Sequence, residues 1–274
     1  PPAASGSEES FRYAVVSSSA SWAGHTLKFG NGISSDASAN TNGFEFDTYY
    51  SSGQLLLGNI IVDGGSGTNR WVTTSRYSSD ESDMGGDLTI SSGSELRNIS
   101  AGAGFLVGGN ITNNGTFTAN GALYFGSLSG TTFIPTTKAQ TISGSGIFRN
   151  ATTSPTANIS SLQVYNSNVS GVTLNIPLSI SSSLILSQGP LAINGNTLTL
   201  YGGVTYTTGT IKGSATSNLV IAGTAGTLNF TSGAQILKTL TLNAGASATL
   251  GTPLDITAGA SANTEGSVAT GTGA

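Results

Sequence analysis

The chain has 274 residues, of which 8% are charged, and its formal net charge is −4. This balance argues against a nucleic-acid partner, which requires a basic surface. No apolar run reaches the roughly 18 residues of a membrane-spanning segment. The chain has no cysteine, which excludes disulfides and thiolate metal sites and fits an exported protein that folds without oxidation.

Charge and aromatic residues are concentrated near the N-terminus. Eleven of the 13 acidic residues precede residue 100, and residues 150–211 contain no Asp, Glu, Lys, Arg or His. We therefore expect a less regular N-terminal cap or flanking β region over residues 1–85. A patterned β-repeat region is expected over residues 86–274.

The stretch FEFDTYY (44–50) places aromatic residues beside two carboxylates. Such a combination is typical of surfaces that bind sugar rings, and it predicts a ligand-binding site for glycans. The residues of this site are Phe44, Glu45, Phe46, Asp47, Tyr49 and Tyr50. The structural alternative is one strand face followed by a turn, or bulky residues that cover the open end of a repeat.

The stretch SSDESDMGGD (78–87) contains four acidic residues, Asp80, Glu81, Asp83 and Asp87. Several carboxylate oxygens within one short loop predict a Ca²⁺ site, and no other cofactor is expected. The alternative is a solvated acidic loop, since the stretch matches no established Ca²⁺-binding motif.

Short apolar phrases repeat beyond residue 85. GGDLTISSGSEL (85–96) returns as GGNITNNGTF (108–117) at a spacing of about 22 to 23 residues, which is in the range of structural repeats. Residues 178–203 contain four apolar–x–apolar couplets, namely Leu178/Ile180, Leu184/Leu186, Leu191/Ile193 and Leu198/Leu200. Alternation of this kind, bounded by Gly, Asn and Ser, predicts strands of three to five residues whose couplets face a core.

The couplets follow one another too closely for a series of hairpins. Three couplets with their turns need about 22 residues, which matches the longer spacing. The predicted fold is therefore all-β, a parallel β-solenoid (β-helix) with about 22–25 residues per coil. β-Sandwich-type repeats are the alternative.

Four phrases carry a family resemblance: NITNNGTFTANGALYFG, TISGSGIF, SGVTLNIPLSISSSLIL and AINGNTLTLYGG. They resemble the repetitive passenger regions of large bacterial surface proteins, the β-strand-repeat proteins and autotransporter-like adhesins of Bacteroidetes. The resemblance implies a parallel β-helix that is exported to the cell surface and has a structural or adhesive role. It assigns no catalytic residue.

The residue inventory argues against an enzyme. His25 is the only histidine, and Asp255 and Glu265 are the only acids after residue 100, so a pair of catalytic carboxylates is not available there. Outward Thr197/Thr199 and Thr239/Thr241 resemble an ice-binding array, but the Thr-x-Thr pattern is not repeated regularly. A polysaccharide-active enzyme and an ice-binding protein are thus the less favoured functions.

The sequence predicts an extracellular or cell-surface structural protein, a stiff spacer or stalk that binds surface glycans or other cells. A self-assembling filament or sheath subunit that associates end to end is the main alternative, because uncovered coil ends are templates for strand pairing.

Overall fold

The computed structural model describes residues 10–12, 24–30, 44–47, 57–64, 71–74, 82–98, 104–129, 132–150, 158–257, 260–262 and 267–270. Within these ranges the chain is all-β, contains no helix and builds stacked sheets of parallel strands. The predicted fold class is confirmed at this level, and the arrangement is compatible with a β-solenoid. No helix in the described part of the chain is long and apolar enough to cross a membrane.

The strands are short and follow one another closely. The first sixteen in the described ranges are β1 (Ser10–Arg12), β2 (Thr26–Phe29), β3 (Phe44–Asp47), β4 (Asn59–Val62), β5 (Trp71–Thr74), β6 (Ser82–Met84), β7 (Leu88–Ile90), β8 (Glu95–Asn98), β9 (Phe105–Val107), β10 (Ile111–Asn113), β11 (Thr116–Ala119), β12 (Ala122–Phe125), β13 (Ser127–Ser129), β14 (Thr132–Ile134), β15 (Gln140–Ser143) and β16 (Ile147–Arg149). The remaining ones are β17 (Ile159–Tyr165), β18 (Val172–Leu174), β19 (Leu178–Gln188), β20 (Pro190–Ala192), β21 (Thr197–Leu200), β22 (Gly203–Tyr206), β23 (Thr210–Lys212), β24 (Ser214–Ile221), β25 (Thr224–Leu228), β26 (Ile236–Leu242), β27 (Ser247–Leu250), β28 (Asp255–Ile256), β29 (Ala260–Ala262) and β30 (Ser267–Thr270).

The chain forms two compact units. Unit 1 comprises Pro1–Leu123, Ser127–Ile134 and Gly144–Ala157, and unit 2 comprises Tyr124–Gly126, Pro135–Ser143 and Asn158–Ala274. Each unit has its own buried apolar residues.

Unit 1 contains a six-stranded parallel sheet, called sheet A, with the strand order β1-β3-β5-β8-β11-β16. A second row of parallel strands, the β7 row, has the order β2-β4-β7-β10, and β6 pairs with β9. Strands of these three rows follow one another along the chain: β7, β8 and β9 come in turn, and β10 and β11 then continue the β7 row and sheet A. Successive strands of one row therefore come from successive passages of the chain.

Unit 2 is also built from rows of parallel strands that come from successive passages of the chain. The β20 row has the order β15-β18-β20-β23, the β21 row has the order β17-β19-β21-β24-β26-β28, and β25, β27 and β30 form a three-stranded sheet. Neighbouring strands of these rows pair in parallel, and the hairpin β13–β14 of unit 1 is the antiparallel exception among the described pairings. Sandwich-type repeats would need antiparallel hairpins throughout, so the parallel register disfavours that alternative.

The repeat seen in the sequence is a repeat of the structure. Leu88 of GGDLTI pairs with Ile111 of GGNIT, an offset of 23 that also separates the hydrogen-bonded Asp87 and Asn110. Farther along the chain the offset shortens to 21 where Leu198 pairs with Leu219, as it does between Asn218 and Thr239. Among the described parallel pairings the offset is as short as 19, between Val172 and Leu191, and reaches 35 between Ser10 and Glu45, so the predicted coil of about 22–25 residues holds for only some passages of the chain.

The apolar couplets form the core of unit 2, as predicted. All eight residues of the four couplets are at most 3% exposed. Burying a Leu or Ile side chain contributes about 1.5–3 kcal/mol, so each couplet is a substantial part of the stabilisation of its turn. The intervening Ser179 and Thr199 are half-buried and point to the opposite face.

Two features differ from the predicted strands of three to five residues. β19 has 11 residues and contributes two couplets in succession, since its first half pairs with β21 and its second half with β22. The hairpin β13–β14 was not predicted, since SLSGTTF lacks the Asn-Gly turn signal.

Strands on both sides of residue 85 belong to the same rows, since β4 pairs with β7 and β5 with β8. The division into a cap (1–85) and a repeat region (86–274) stays a prediction, because most of the first 85 residues lie outside the described ranges.

Candidate functional site

Sheet A has two chemically different sets of register positions. One set of aligned positions joins Leu96 to Phe117 and Phe117 to Phe148, all of them buried. Phe117 lies edge-on to Phe105 and Phe148, with ring centroids 5.4 and 5.7 Å apart. These residues give the sheet a rigid aromatic inner face.

The alternate positions hold the charged residues. Glu45 aligns with Thr73, Thr73 with Arg97, Arg97 with Thr118, and Thr118 with Arg149. Because aligned residues of a parallel sheet share a face, Arg97, Thr118 and Arg149 lie opposite Leu96, Phe117 and Phe148. Glu95, two residues before Arg97, belongs to the same set.

Four described side chains on this face form a closed polar network, called the Glu95 cluster (Glu95, Arg97, Thr118, Arg149). Arg97 Nη2 donates to Glu95 Oε2 over 2.9 Å, and Thr118 Oγ1 donates to Glu95 Oε1 over 2.6 Å. Arg149 donates from Nη2 to Glu95 Oε1 and from Nε to Thr118 Oγ1, the latter over 2.8 Å. Three neighbouring strands, β8, β11 and β16, supply the cluster.

The electrostatics of the cluster favour an ionised Glu95. Burial raises the pKa of its carboxyl, but hydrogen bonds from Arg97, Thr118 and Arg149 lower it, and the resulting pKa lies below the ordinary value of 4.5. The side chains of both arginines are 20% exposed and that of Glu95 is 14% exposed. The three ionised side chains therefore reach solvent, whereas Thr118 is buried beneath them.

Sequence reasoning missed the Glu95 cluster. Glu95 and Arg149 are 54 residues apart, so no local motif joins them. The triplets ELR (95–97), TFT (116–118) and IFR (147–149) do share a central apolar residue and align in the sheet. Aligning the three triplets by their central residues in the sequence would have placed Glu95, Arg97 and Arg149 on the same face of one sheet.

The predicted glycan residues are only partly within the described structure. Phe44, Glu45, Phe46 and Asp47 form β3, whose backbone pairs with β1 and β5. Phe44 aligns with Val72, and Val72 aligns with the buried Leu96. Tyr49 and Tyr50 lie outside the described residues. The predicted ligand role of the six residues stays a prediction.

The predicted Ca²⁺ site is described at two of its four residues. Asp83 lies in β6 and Asp87 precedes β7, whereas Asp80 and Glu81 lie outside the described residues. No group of three or more His, Cys, Asp or Glu side chains suited to a metal ion occurs among the residues that the structure describes. The four-residue site therefore stays a prediction.

Asp87 has a definite local role. Asn59 Oδ1 accepts the backbone N–H of Asp87 over 2.8 Å, and Asp87 Oδ1 accepts the backbone N–H of Asn110 over 2.7 Å. A Cβ at Gly86 or Gly109 would approach these side-chain oxygens to 2.4 and 2.3 Å. We call this turn the corner ladder, because a side-chain oxygen of each passage of the chain accepts a backbone N–H of the next passage.

His25 and the threonine rows have the following places in the structure. His25 is exposed. Thr197 aligns with Asn218 and Asn218 with Thr239, so these threonines are separated by a strand that carries an asparagine. Thr239 Oγ1 donates to Asn218 Oδ1 over 2.7 Å. Thr199 and Thr241 are separated by Val220 in the same way.

The described ranges thus offer one concentrated set of ionised side chains, the Glu95 cluster, on an aromatic-backed sheet. Elsewhere in these ranges Lys28 Nζ lies 2.6 Å from Asp63 Oδ2, and the hydrogen bond from Lys28 lowers the pKa of the Asp63 carboxyl. No protein-family model, no curated protein and no solved structure matches the chain.

Proposed function

We propose that the chain is a β-solenoid segment of an exported, surface-exposed protein, where it serves as a stiff structural and adhesive spacer. The observation that carries the proposal is the column Leu178–Leu198–Leu219–Leu240. These residues align pairwise in parallel register and are at most 3% exposed. One position of the chain is thus repeated in space with no interruption over four passages.

The proposed coil closes through three strands. In unit 2 the sequence β23, β24, β25 would form one such coil. Its backbone hydrogen bonds run along the stacking axis at about 4.8 Å per coil. Each coil then supports its neighbours, and added length needs no new kind of contact.

A spacer role also accounts for the scarcity of charge in residues 150–211. Like residues stack on one another in a parallel row, and stacked like charges would repel along the axis. Thr, Ser and Asn stack without this penalty and hydrogen-bond between coils, as Ser183 Oγ does to Ser161 Oγ over 2.9 Å. A surface without ionised groups is compatible with passive spacing.

Electron microscopy and digestion of the purified chain would test the proposal together. We expect straight rods with an axial repeat near 4.8 Å, about the spacing of paired strands, and a fragment over residues 158–257 that survives proteinase K. Proteinase K is the suitable enzyme, because residues 150–211 contain no Lys or Arg for trypsin. Compact particles without that repeat, or rapid digestion of unit 2, would overturn it.

The same micrographs test the filament alternative. Ordered end-to-end filaments whose repeat continues across each junction at rising concentration would identify a self-assembling subunit. Isolated rods would support the spacer.

A further inference from the structure

The tight turn between β20 and β21 contains the one Asn–Gly pair in the described ranges in which both residues are exposed. Asn194 has a φ of +52° and is the only non-glycine residue with positive φ among those that the structure describes; Gly195 follows with a φ of +77°. The turn closes through a hydrogen bond of 3.1 Å, which the Asn196 N–H donates to the Ile193 carbonyl. Left-handed backbone costs an L-residue free energy, although Asn adopts it more readily than most. The turn thus holds an exposed Asn in a backbone conformation of raised energy.

An Asn–Gly pair carries its own reactive groups. When the glycine nitrogen loses its proton to hydroxide, it can attack the Asn carbon Cγ, because glycine has no side chain to obstruct the approach. The new Cγ–N bond closes a succinimide ring, and the Cγ–Nδ2 bond breaks with release of ammonia. Water then opens the ring at one of its two carbonyls, which yields aspartate or isoaspartate. The overall reaction consumes one water molecule and needs neither an oxidant nor an enzyme.

We propose that Asn194 undergoes this reaction in the folded chain, with the nitrogen of Gly195 as nucleophile, whereas the other described Asn–Gly pairs are protected. The attack requires the peptide of Gly195 to rotate toward the Asn194 side chain. A Cβ placed at Gly195 would meet only the side chain of Thr216, at 3.1 Å, so no backbone encloses this residue. The restraint on the rotation is a neutral hydrogen bond of 3.1 Å from the Gly195 N–H to Ser217 Oγ.

The pair Asn114–Gly115 in unit 1 is enclosed instead. A Cβ at Gly115 would clash with the backbone oxygens of Ser91 and Ser94. The Gly115 N–H donates over 3.1 Å to Oδ1 of Asn113, which is fully buried. Rotation of this peptide would therefore require neighbouring passages of the chain to separate, which is a local unfolding event.

The aspartate product fits the hydrogen bonds around the turn. Asn194 Nδ2 donates to Asn175 Oδ1 over 2.8 Å. A carboxylate cannot donate, but the exposed Asn175 amide can turn so that its Nδ2 donates to the new carboxylate. Conversion gives residues 150–211, which contain no Asp, Glu, Lys, Arg or His, their one ionised side chain. The inference is independent of the proposed spacer function.

Peptide mass spectrometry of the full chain would test the proposal. One sample is incubated folded and another in guanidinium chloride, in the same mildly alkaline buffer. In the unfolded chain each pair reacts at the rate set by its local sequence, so the ratio of the folded to the unfolded rate reports the effect of structure alone. Trypsin then separates the sites, since residues 98–138 contain Asn114 and Asn120 and residues 150–212 contain Asn194. Fragmentation locates the mass gain of one unit.

We expect Asn194 to react in the folded chain within about tenfold of its unfolded rate, and Asn114 to react at least about a hundredfold more slowly than when unfolded. Asn120 should behave like Asn114, because the following Gly121 is buried. Asn194→Gly keeps a residue suited to positive φ and removes the reactive amide, so the mass gain should disappear from the peptide 150–212.

A second variant tests the restraint on the turn. Ser217→Ala removes the acceptor of the Gly195 N–H and should raise the folded-to-unfolded ratio at Asn194 about two- to tenfold, the factor that one neutral hydrogen bond contributes. The ratio at Asn114 should stay unchanged, which separates a local effect from general loosening of the chain. An unchanged ratio at Asn194 would contradict rotation of the Gly195 peptide as the limiting step.

Two results would overturn the proposal. One is a folded-to-unfolded ratio at Asn194 as low as that at Asn114, which would show that the turn protects its amide as fully as the enclosed pair does. The other is a mass gain of the folded chain at a different asparagine of residues 150–212 in place of Asn194.

Discussion

Sheet A of unit 1 and residues 158–257 of unit 2 both contain stacked parallel strands, but they differ in their content of charged residues. Six charged residues lie in the short strands of sheet A, whereas the whole of the second region contains three, Lys212, Lys238 and Asp255. Both have parallel register and apolar inner positions. The two regions differ in the number of charged residues that their sequences contain.

This difference shows how a parallel stack accommodates charge. Aligned neighbours of like sign repel, and sheet A separates Arg97 from Arg149 by Thr118 and joins both to Glu95. Residues 158–257 use uncharged side chains at most of these positions instead. Charge on a stack of this kind therefore requires partners on neighbouring strands.

The largest expected effect comes from the shared feature, the buried column. Leu219→Ala removes a fully buried side chain between Leu198 and Leu240, and we expect a loss of about 2–5 kcal/mol in the free energy of unfolding. Urea denaturation measures it, with the outward Thr199→Ala as control. Equal effects of both variants would show that the column does not face a core.

Two adjacent glycines give a sharper test of the spacing between passages in unit 2. A Cβ at Gly202 would lie 1.6 Å from the backbone oxygen of Ser182, whereas at Gly203 the nearest atom is 4.0 Å away. We expect Gly202→Ala to cost about 1–3 kcal/mol, since the backbone must shift. Gly203→Ala should be neutral or stabilising by about 0.4–1 kcal/mol. Thermal unfolding of both variants measures the contrast, and a neutral Gly202→Ala would contradict the close approach.

Much of the fold could be predicted from local pattern. The couplets such as Leu198/Leu200 directly report the period-two alternation of strands, and the GGDLTI/GGNIT echo reports the offset at which Leu88 meets Ile111. Both signals are carried by residues close together in sequence or similar in type. Both signals can therefore be recognised in the sequence without any knowledge of tertiary contacts.

The Glu95 cluster could not be predicted in this way. Its members come from three strands, and an offset of 31 joins Thr118 to Arg149, longer than the offset of 23 between Glu95 and Thr118 because it includes the hairpin β13–β14. An insertion of this kind shifts every later residue out of the repeat spacing. The charges were visible in the sequence, but their alignment depends on the length of that insertion.

Acid should affect the two regions differently. The folded-state pKa of Glu95 lies below the unfolded value near 4.5, so the folded form binds fewer protons and the contribution of Glu95 to stability is complete above that pH. It is lost as the pH falls through the folded-state pKa. We expect the hydrogen-exchange protection factors of amides in sheet A to fall below pH 4.5, while those of residues 158–257, with Asp255 as their one acid, stay unchanged.

Glu95→Gln identifies the group responsible. At neutral pH the variant should lose about 1–2 kcal/mol, since hydrogen bonds to a charged acceptor become weaker ones. The protection factors of its amides in sheet A should then depend less on pH below 4.5 than those of the parent. An unchanged pH dependence would assign the acid effect to other carboxylates.

The smallest expected effect concerns the corner ladder of unit 1, where one side chain caps the next passage of the chain. Asp87→Ala removes the acceptor of the Asn110 backbone N–H and should cost about 1 kcal/mol. Asp87→Asn should cost less, because Asn59 already performs the same role toward Asp87 with an amide oxygen. Urea denaturation at neutral pH compares the two variants. If Asp87→Asn is as damaging as Asp87→Ala, the negative charge rather than the capping oxygen is what the corner requires, and the comparison of charged and uncharged stacks then extends from sheet A to the turns between rows.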